Sequence, residues 1–197
     1  MPMAENYQSQ DLWSRTTTRN GYAADELRSV LQKSIRRGMV EEAILAGCEL
    51  FFDSTETEEM LWRRLEIITT EDVGMGFPDG PAVIEALYQQ AKRMADPGDR
   101  WMYGAHAIRI LATARKDRLS MELACWARES LARGERRIEI EDYHLDMHTR
   151  RGVERGNGPE HWWRNGARLD NQINEVPSRY NAYLRRLYLG DGDGEGS

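Results

Sequence analysis

Cysteine is scarce in this 197-residue chain, which excludes a fold held together by disulfides. Cys48 and Cys125 lie in apolar, helix-favouring segments, and this predicts buried free thiols in a reducing compartment. No segment approaches the roughly 18 apolar residues of a membrane-spanning helix. The first ten residues have neither the basic stretch nor the apolar core of a secretory signal. From these absences we expect a cytoplasmic protein with no membrane partner.

Lysine is also rare, and the net charge of the chain is −6. An acidic chain lacks the positive field that a dedicated nucleic-acid-binding protein usually shows. The charge is uneven, however: residues 1–132 carry 16 basic and 21 acidic side chains, whereas residues 133–190 carry 11 and 9. We therefore expect any contact with DNA to be local and secondary to other interactions.

Strand-like alternation of apolar and polar residues is nearly absent, and apolar residues recur at spacings of three and four. This pattern predicts an all-α fold, an antiparallel helical bundle with a glycine-rich C-terminal helical extension. We expect an N-terminal arm at 1–22, the bundle domain at 23–132 and the extension, packed on the bundle, at 133–189. The glycine- and acid-rich tail at 190–197 is predicted to be disordered.

The bundle domain is predicted to contain six helices. The first two are expected at about 24–37 and 40–52, and the third is expected to end near Thr70. Thr55 and Glu58 have the spacing of a capping box, in which two side chains satisfy the free amides at a helix start. These signals mark the start of the third helix.

A loop dense in glycine and proline, residues 71–81, separates the third and fourth predicted helices. Asp79 is positioned to cap the fourth helix, with Pro81 in its first turn. A break at 96–99 precedes the fifth helix, and Asp117 or Ser120 is expected to open the sixth. Short connections of this kind predict that consecutive helices pack as antiparallel neighbours.

The extension is interrupted by glycines, so its secondary structure is expected to be less regular than that of the bundle domain. Residues 138–140 alternate briefly and are compatible with a short extended segment. Asp142 is positioned to cap a helix at about 143–152. Two further helices are predicted at about 160–173 and 178–189.

Three segments of residues 25–132 are similar in order and spacing to one known family. They are KSIRRG at 33–38 followed by Glu42-Ala43, RRLEIITTEDVG at 63–74, and AIRILATARK at 107–116. Together they resemble the C-terminal helical region of replication-associated recombination ATPases, the MgsA/RarA type of AAA+ protein related to clamp loaders. The segment at 63–74 is the most specific of the three.

The resemblance implies a fold like the clamp-loader C-terminal (collar) domain, which mediates homo-oligomerisation in those ATPases. Their nucleotide site lies in a separate module, and this sequence contains no Gly-x-x-x-x-Gly-Lys-[Ser/Thr] motif. The resemblance therefore implies a standalone, non-catalytic oligomerisation or interaction protein without a cofactor. It also implies a role in DNA replication, recombination or repair. Its expected partners are copies of itself, in a dimer or tetramer. A replication or recombination ATPase on which it docks is a second expected partner. Helices one and two or the tryptophan-rich C-terminal helix are the expected contact faces.

An alternative function comes from a cluster of metal-ligating residue types, Glu141, His144, Asp146 and His148. On a helix Glu141, His144 and His148 share a face, whereas in an extended segment His144, Asp146 and His148 do. Either arrangement supplies two imidazoles and a carboxylate, enough for zinc or iron in a metal-dependent enzyme. The cluster matches no spaced metal signature, so side chains that hydrogen-bond the glycine-rich segment in place are the favoured interpretation.

A second group of polar and aromatic residues in the extension indicates a binding surface, because such side chains gather around glycines there. The candidate interaction residues are Asp146, His148, Arg150, Arg151, His161, Trp162 and Trp163. Paired arginines such as Arg36-Arg37 and Arg63-Arg64 suit contacts with phosphate. A direct DNA-binding accessory protein is therefore the third hypothesis, although solvated helix faces and ion pairs explain most of these arginines.

Overall fold

The computed structural model describes residues 11–173 and 176–190. These residues form helices and turns, with no strand and one isolated bridge between Thr17 and Ala23, so the all-α prediction is confirmed. The chain divides into two compact units, Met1–Arg133 and Gly134–Ser197. Residues 191–197 of the predicted acidic tail and residues 1–10 of the predicted arm lie outside the described part.

In its described residues the first unit contains six α-helices. They are α1 (Ala24–Arg37), α2 (Val40–Asp53), α3 (Thr55–Ile68), α4 (Gly80–Ala91), α5 (Pro97–Thr113) and α6 (Leu119–Ala132). The core lies among α1 to α5. Its largest fully buried side chains are Trp62, Leu31, Ile35, Leu50, Leu61, Leu65, Ile68, Ile84, Ile108 and Leu111. α1 ends at Gly38, whose φ of 72° is a left-handed conformation that glycine adopts without strain.

The segment before α1 is attached to the bundle by side-chain contacts. A 3₁₀ turn spans Leu12–Arg15, and Asp11 Oδ2 lies 2.6 Å from Arg28 Nη2 on α1. This hydrogen bond lowers the pKa of Asp11. The backbone amide of Arg19 donates to Asp53 Oδ1, 2.8 Å away at the end of α2. Residues 11–23 are therefore part of the first unit.

The capping box predicted from Thr55 and Glu58 is wrong by one residue. Ser54 Oγ accepts from the amide of Thr57 at 3.2 Å, and Thr57 Oγ1 accepts from the amide of Ser54 at 3.0 Å. Ser54 takes this role because its backbone is extended, with φ −153° and ψ 165°, as an N-cap residue requires.

Two further predicted boundaries also differ from the structure. α3 ends at Ile68 instead of Thr70, because Thr69–Val73 widens into a π-helical turn. Asp79 makes no side-chain capping bond, since its backbone is already helical at φ −77° and ψ −3°. α4 nevertheless begins next to it, at Gly80, with a proline in its first turn as predicted.

The second unit has less regular structure. A 3₁₀ turn at Asp142–His144 is followed by α7 (Arg150–Glu154) and α8 (Pro159–His161). α8 continues into a π-helical turn, Trp162–Gly166, and α9 spans Arg179–Leu189. Within the described residues of this unit, α9 is the longest helix.

Two helices predicted for the extension are not formed as expected. Between 143 and 152, Asp146 Oδ1 accepts from the amide of His148 at 2.9 Å, which turns the chain, and Thr149 then caps α7. Asp142 is therefore not the helix cap. The helix predicted at 160–173 ends at Gly166, and residues 138–140 are exposed and form no strand.

The prediction of buried thiols is wrong for Cys125, which is exposed, while Cys48 is partly buried. Burial raises the pKa of the Cys48 thiol. Cys125 is exposed because its helix, α6, is covered along little of its surface.

A partly buried hydrogen bond joins α3 and α4 and gives a first testable prediction. Tyr88 Oη donates to Glu59 Oε1 at 2.6 Å, beside the ring of Trp62, and this bond raises the pKa of Tyr88 to about 12. Tyr88→Phe is expected to lower the free energy of unfolding by about 1.5 kcal/mol, because a bond to a charged acceptor is lost. Urea denaturation near neutral pH measures the loss, with the exposed Tyr22→Phe as the control that should change little.

The pH dependence of the same bond follows from the raised pKa. The stabilisation is complete below the ordinary tyrosine pKa of 10.0 and is lost as pH rises through about 12. An ultraviolet titration should therefore show one tyrosine that ionises late in the wild-type protein and is missing from Tyr88→Phe. An unchanged titration curve in that variant would contradict the assignment.

Candidate functional site

The segment with the most specific family resemblance, 63–74, contains a buried carboxylate. The side chain of Asp72 has no solvent exposure. Its Oδ1 accepts from Arg36 Nε at 2.6 Å, and its Oδ2 accepts from Gln32 Nε2 at 2.8 Å. Arg118 Nε lies 3.7 Å from Oδ1. A buried charge is strongly unfavourable unless it is paired and hydrogen-bonded, so this network holds the end of α3 against α1.

The glycine-rich turn after Asp72 fixes the start of α6. The amide of Asp117 donates to the Asp72 carbonyl at 3.0 Å, and the amide of Met75 donates to Asp117 Oδ2 at 3.1 Å. A Cβ at Gly74 would lie 2.6 Å from the Asp117 carbonyl oxygen, and Gly74 has a φ of 48°. The amide of Leu119, the first residue of α6, donates to Asp117 Oδ1 at 3.0 Å. The buried carboxylate and the origin of α6 therefore belong to one connected structure.

α6 itself presents an uncovered apolar stripe. Leu119, Leu123, Trp126 and Leu131 are 56%, 52%, 55% and 50% exposed. The first three are spaced by four and three residues and share one face of the helix, and Leu131 lies at the edge of that face. Of the 14 residues of α6, Ser130 alone is buried. Single exposed apolar side chains are ordinary, but a contiguous stripe of large ones marks an interaction surface.

The predicted metal ligands do not form a site. His144 Nδ1 accepts from the amide of Glu141 at 2.9 Å, so one of its ring nitrogens is used in a local turn. Asp146 instead contacts His148, whose Nδ1 lies 3.1 Å from Asp146 Oδ2. In the part of the chain that the structure describes, no three His, Cys, Asp or Glu side chains are grouped to hold a metal ion. Hydrogen bonds from the backbone amide and side chain of His148 lower the pKa of Asp146.

His161 braces the turn that precedes it in the second unit. Its Nε2 lies 2.7 Å from Asp142 Oδ2, and Arg155 Nη1 lies 3.4 Å from Asp142 Oδ1. The hydrogen bond with His161 lowers the pKa of Asp142. The Nδ1 atom of His161 is buried and has no hydrogen-bond partner. These contacts tie the turn Asp142–His144 to α8 and α7.

The predicted interaction residues separate into distinct groups within the second unit. Trp162 and Trp163 pack edge to face with ring centroids 4.9 Å apart, and the Trp163 ring stacks on Tyr188 of α9 at 6.0 Å and 16°. Asp146 and His148 form their own turn. Arg150 and Arg151 are exposed on α7. Trp163, against which Trp162 packs, therefore anchors α9.

Two features were missed by the sequence analysis. The first is the burial of Asp72, for which the available signal was the spacing of Gln32 and Arg36, two polar residues one turn apart on α1 that could face a common acceptor. The second is the exposed surface of α9, where Tyr180 and Tyr183 are 64% and 63% exposed. Their helical spacing suggested packing, and nothing in the sequence showed that this face is open.

No family model matches the chain, and no curated protein matches it. Within residues 11–173 and 176–190, none of the helices combines the length and apolar composition needed to span a bilayer.

Proposed function

We propose that this protein is a non-catalytic oligomerisation and interaction protein, related to the collar-like C-terminal region of MgsA/RarA-type ATPases. It acts in DNA replication, recombination or repair, as a homo-oligomer or by docking on an ATPase partner. The observation that carries the proposal is the open apolar stripe of α6, with its four large side chains each at least half exposed.

The order of side chains along α6 suits pairing with a second copy. In an antiparallel pair related by a two-fold axis, the same surface is used by both molecules. An axis near residue 125 places Leu119 opposite the partner's Leu131 and Leu123 opposite the partner's Trp126. Ala127, one turn from Leu123, is small and lets the two helices approach closely.

Burial of the stripe favours association. Burying the exposed half of a leucine or tryptophan side chain contributes about 1 kcal/mol. In a dimer, the four large side chains of the stripe are buried in both copies. α2, one of the faces favoured by the sequence, offers a smaller surface, since Leu45 and Phe52 are its two exposed large apolar side chains. We therefore place the self-association surface on α6.

Trp126→Asp is expected to weaken self-association about thirtyfold, or about 2 kcal/mol, because a buried aromatic side chain dominates an interface of this kind. Sedimentation velocity over a range of protein concentrations measures the change. Cys125→Asp is the matched control: it introduces the same carboxylate into the same helix, on the exposed side opposite the stripe, and should leave association unchanged. Equal effects of the two variants, or a wild-type protein that stays monomeric at every concentration, would contradict the proposal.

Docking on an ATPase is tested separately by light scattering of the protein mixed with a purified MgsA/RarA-type ATPase. A complex whose mass exceeds that of either component alone is the expected result. If the protein associates with itself but forms no complex with the ATPase, the result would support the oligomer and contradict the proposed role in replication.

A further inference from the structure

α9 has two sides with different surroundings. Its packed side holds Arg185, whose Nη1 donates to the Trp163 carbonyl at 3.3 Å, and Tyr188, whose ring stacks on that of Trp163. Its outward side carries five residues at helical spacing: Arg179, Tyr180, Tyr183, Arg186 and Leu187. Tyr180, Tyr183 and Leu187 are each at least 60% exposed. The aromatic rings of the outward side are therefore accessible while the helix itself is anchored.

The charge of this segment is opposite to that of the whole protein. Residues 176–190 contain three arginines and no acidic side chain, in a chain of net charge −6. Arg179 lies with its guanidinium 4.9 Å from the centroid of the Tyr180 ring, and its Nη2 donates to the Tyr180 hydroxyl at 2.8 Å. A fixed cation thus lies beside an open aromatic ring.

We propose that the outward side of α9 binds single-stranded nucleic acid, with Tyr180 and Tyr183 stacking on bases and Arg179 and Arg186 contacting phosphates. Exposed aromatic rings beside cations are the combination that single-strand-binding surfaces use, and stacking needs no particular base. A duplex keeps its bases stacked and hides the faces that these tyrosines would contact. An apolar protein partner is less well matched, because two of the five outward residues are arginines.

The central test measures fluorescence anisotropy of a labelled oligothymidylate with the full chain. Tyr183→Leu is expected to weaken binding about tenfold, because the side chain stays apolar but loses its aromatic face. Tyr183→Phe keeps the ring and should retain wild-type affinity. Because Tyr183 is exposed, neither change should alter the far-ultraviolet circular dichroism spectrum.

The salt dependence of the same binding tests the arginines. Replacing both Arg179 and Arg186 by glutamine should reduce the slope of log K against log salt by about 1.4, since each phosphate contact on a single strand contributes about 0.7. Arg168→Gln is the control: it removes an exposed arginine from the same unit and should leave the slope unchanged.

Several results would overturn the proposal. They are no measurable binding, equal affinity for a duplex, full affinity in Tyr183→Leu, and polyglutamate binding that matches the oligonucleotide. Full affinity in Tyr183→Leu would indicate an apolar protein partner, and the polyglutamate result would indicate an acidic one. Trp126→Asp on α6 should bind the oligonucleotide normally, so this surface and the self-association surface are tested independently.

Discussion

Replacing Asp72 by alanine is expected to lower the free energy of unfolding of the first unit by about 3–5 kcal/mol. The carboxylate has no solvent exposure and is the acceptor for Arg36 and Gln32, with Arg118 close by. Without it, the guanidinium of Arg36 would lose its buried partner, and the Gln32 amide would lose its acceptor. Because the turn that holds Asp72 also fixes the start of α6, the change should loosen the proposed self-association surface as well.

Guanidinium denaturation followed by tryptophan fluorescence measures this effect. Glu71→Ala is the matched control: Glu71 is the neighbouring acid, contacts the same Arg36 at 3.5 Å, and is partly exposed. Its removal should change stability by less than about 1 kcal/mol, since exposed ion pairs contribute little. Similar losses in the two variants would show that the buried network is not what stabilises the turn.

Gly152→Ala is expected to destabilise the second unit by about 3 kcal/mol. A Cβ at this position would overlap the carbonyl oxygen of Asp146 and lie 2.7 Å from the carbonyl carbon of Leu145. Both are backbone atoms and cannot move aside as a flexible side chain can, so α7 would have to shift away from the preceding turn. Because the new methyl group would overlap backbone atoms, the expected loss of stability lies at the upper end of the roughly 1–3 kcal/mol that overpacking usually costs.

Gly158→Ala provides the control in the same unit. A Cβ there has no neighbour within 4 Å, and Gly158 has a φ of −91° that alanine also adopts. Hydrogen exchange reports on both variants through the amides of Val153 and Asn157, which donate to Thr149 and Gly152. Faster exchange in Gly152→Ala and unchanged exchange in Gly158→Ala are expected; slow exchange in both would refute the close packing.

The helices of the first unit could be predicted because their signals are local. α1 and α2 begin and end within a residue of the predicted positions, since their apolar spacing and the break at Gly38 depend on neighbouring residues alone. The capping box at Ser54 was displaced by one residue because Thr55 is as good a capping residue, and backbone geometry decides between them. In the second unit, Asp146 redirects the chain where the periodicity alone suggested a helix.

The candidate sites were less predictable, because each depends on what a side chain meets. Leu123 and Leu131 have the spacing of core residues, and the structure leaves both half exposed. His144 and His148 have spacing compatible with a shared helical face, yet they belong to separate turns with separate partners. Spacing identifies which side chains share a face, but it does not show whether that face is covered.

The amino-acid sequence by itself determined the all-helical class, the positions of the main helices and the break in character near residue 133. These follow from backbone preferences and apolar periodicity, which act over a few residues. Tertiary structure decided that Asp72 is buried, that the stripe of α6 and the arginine–tyrosine side of α9 are open, and that the histidines do not converge. Burial and exposure are set by contacts between residues far apart in the chain, and local sequence patterns do not specify those contacts.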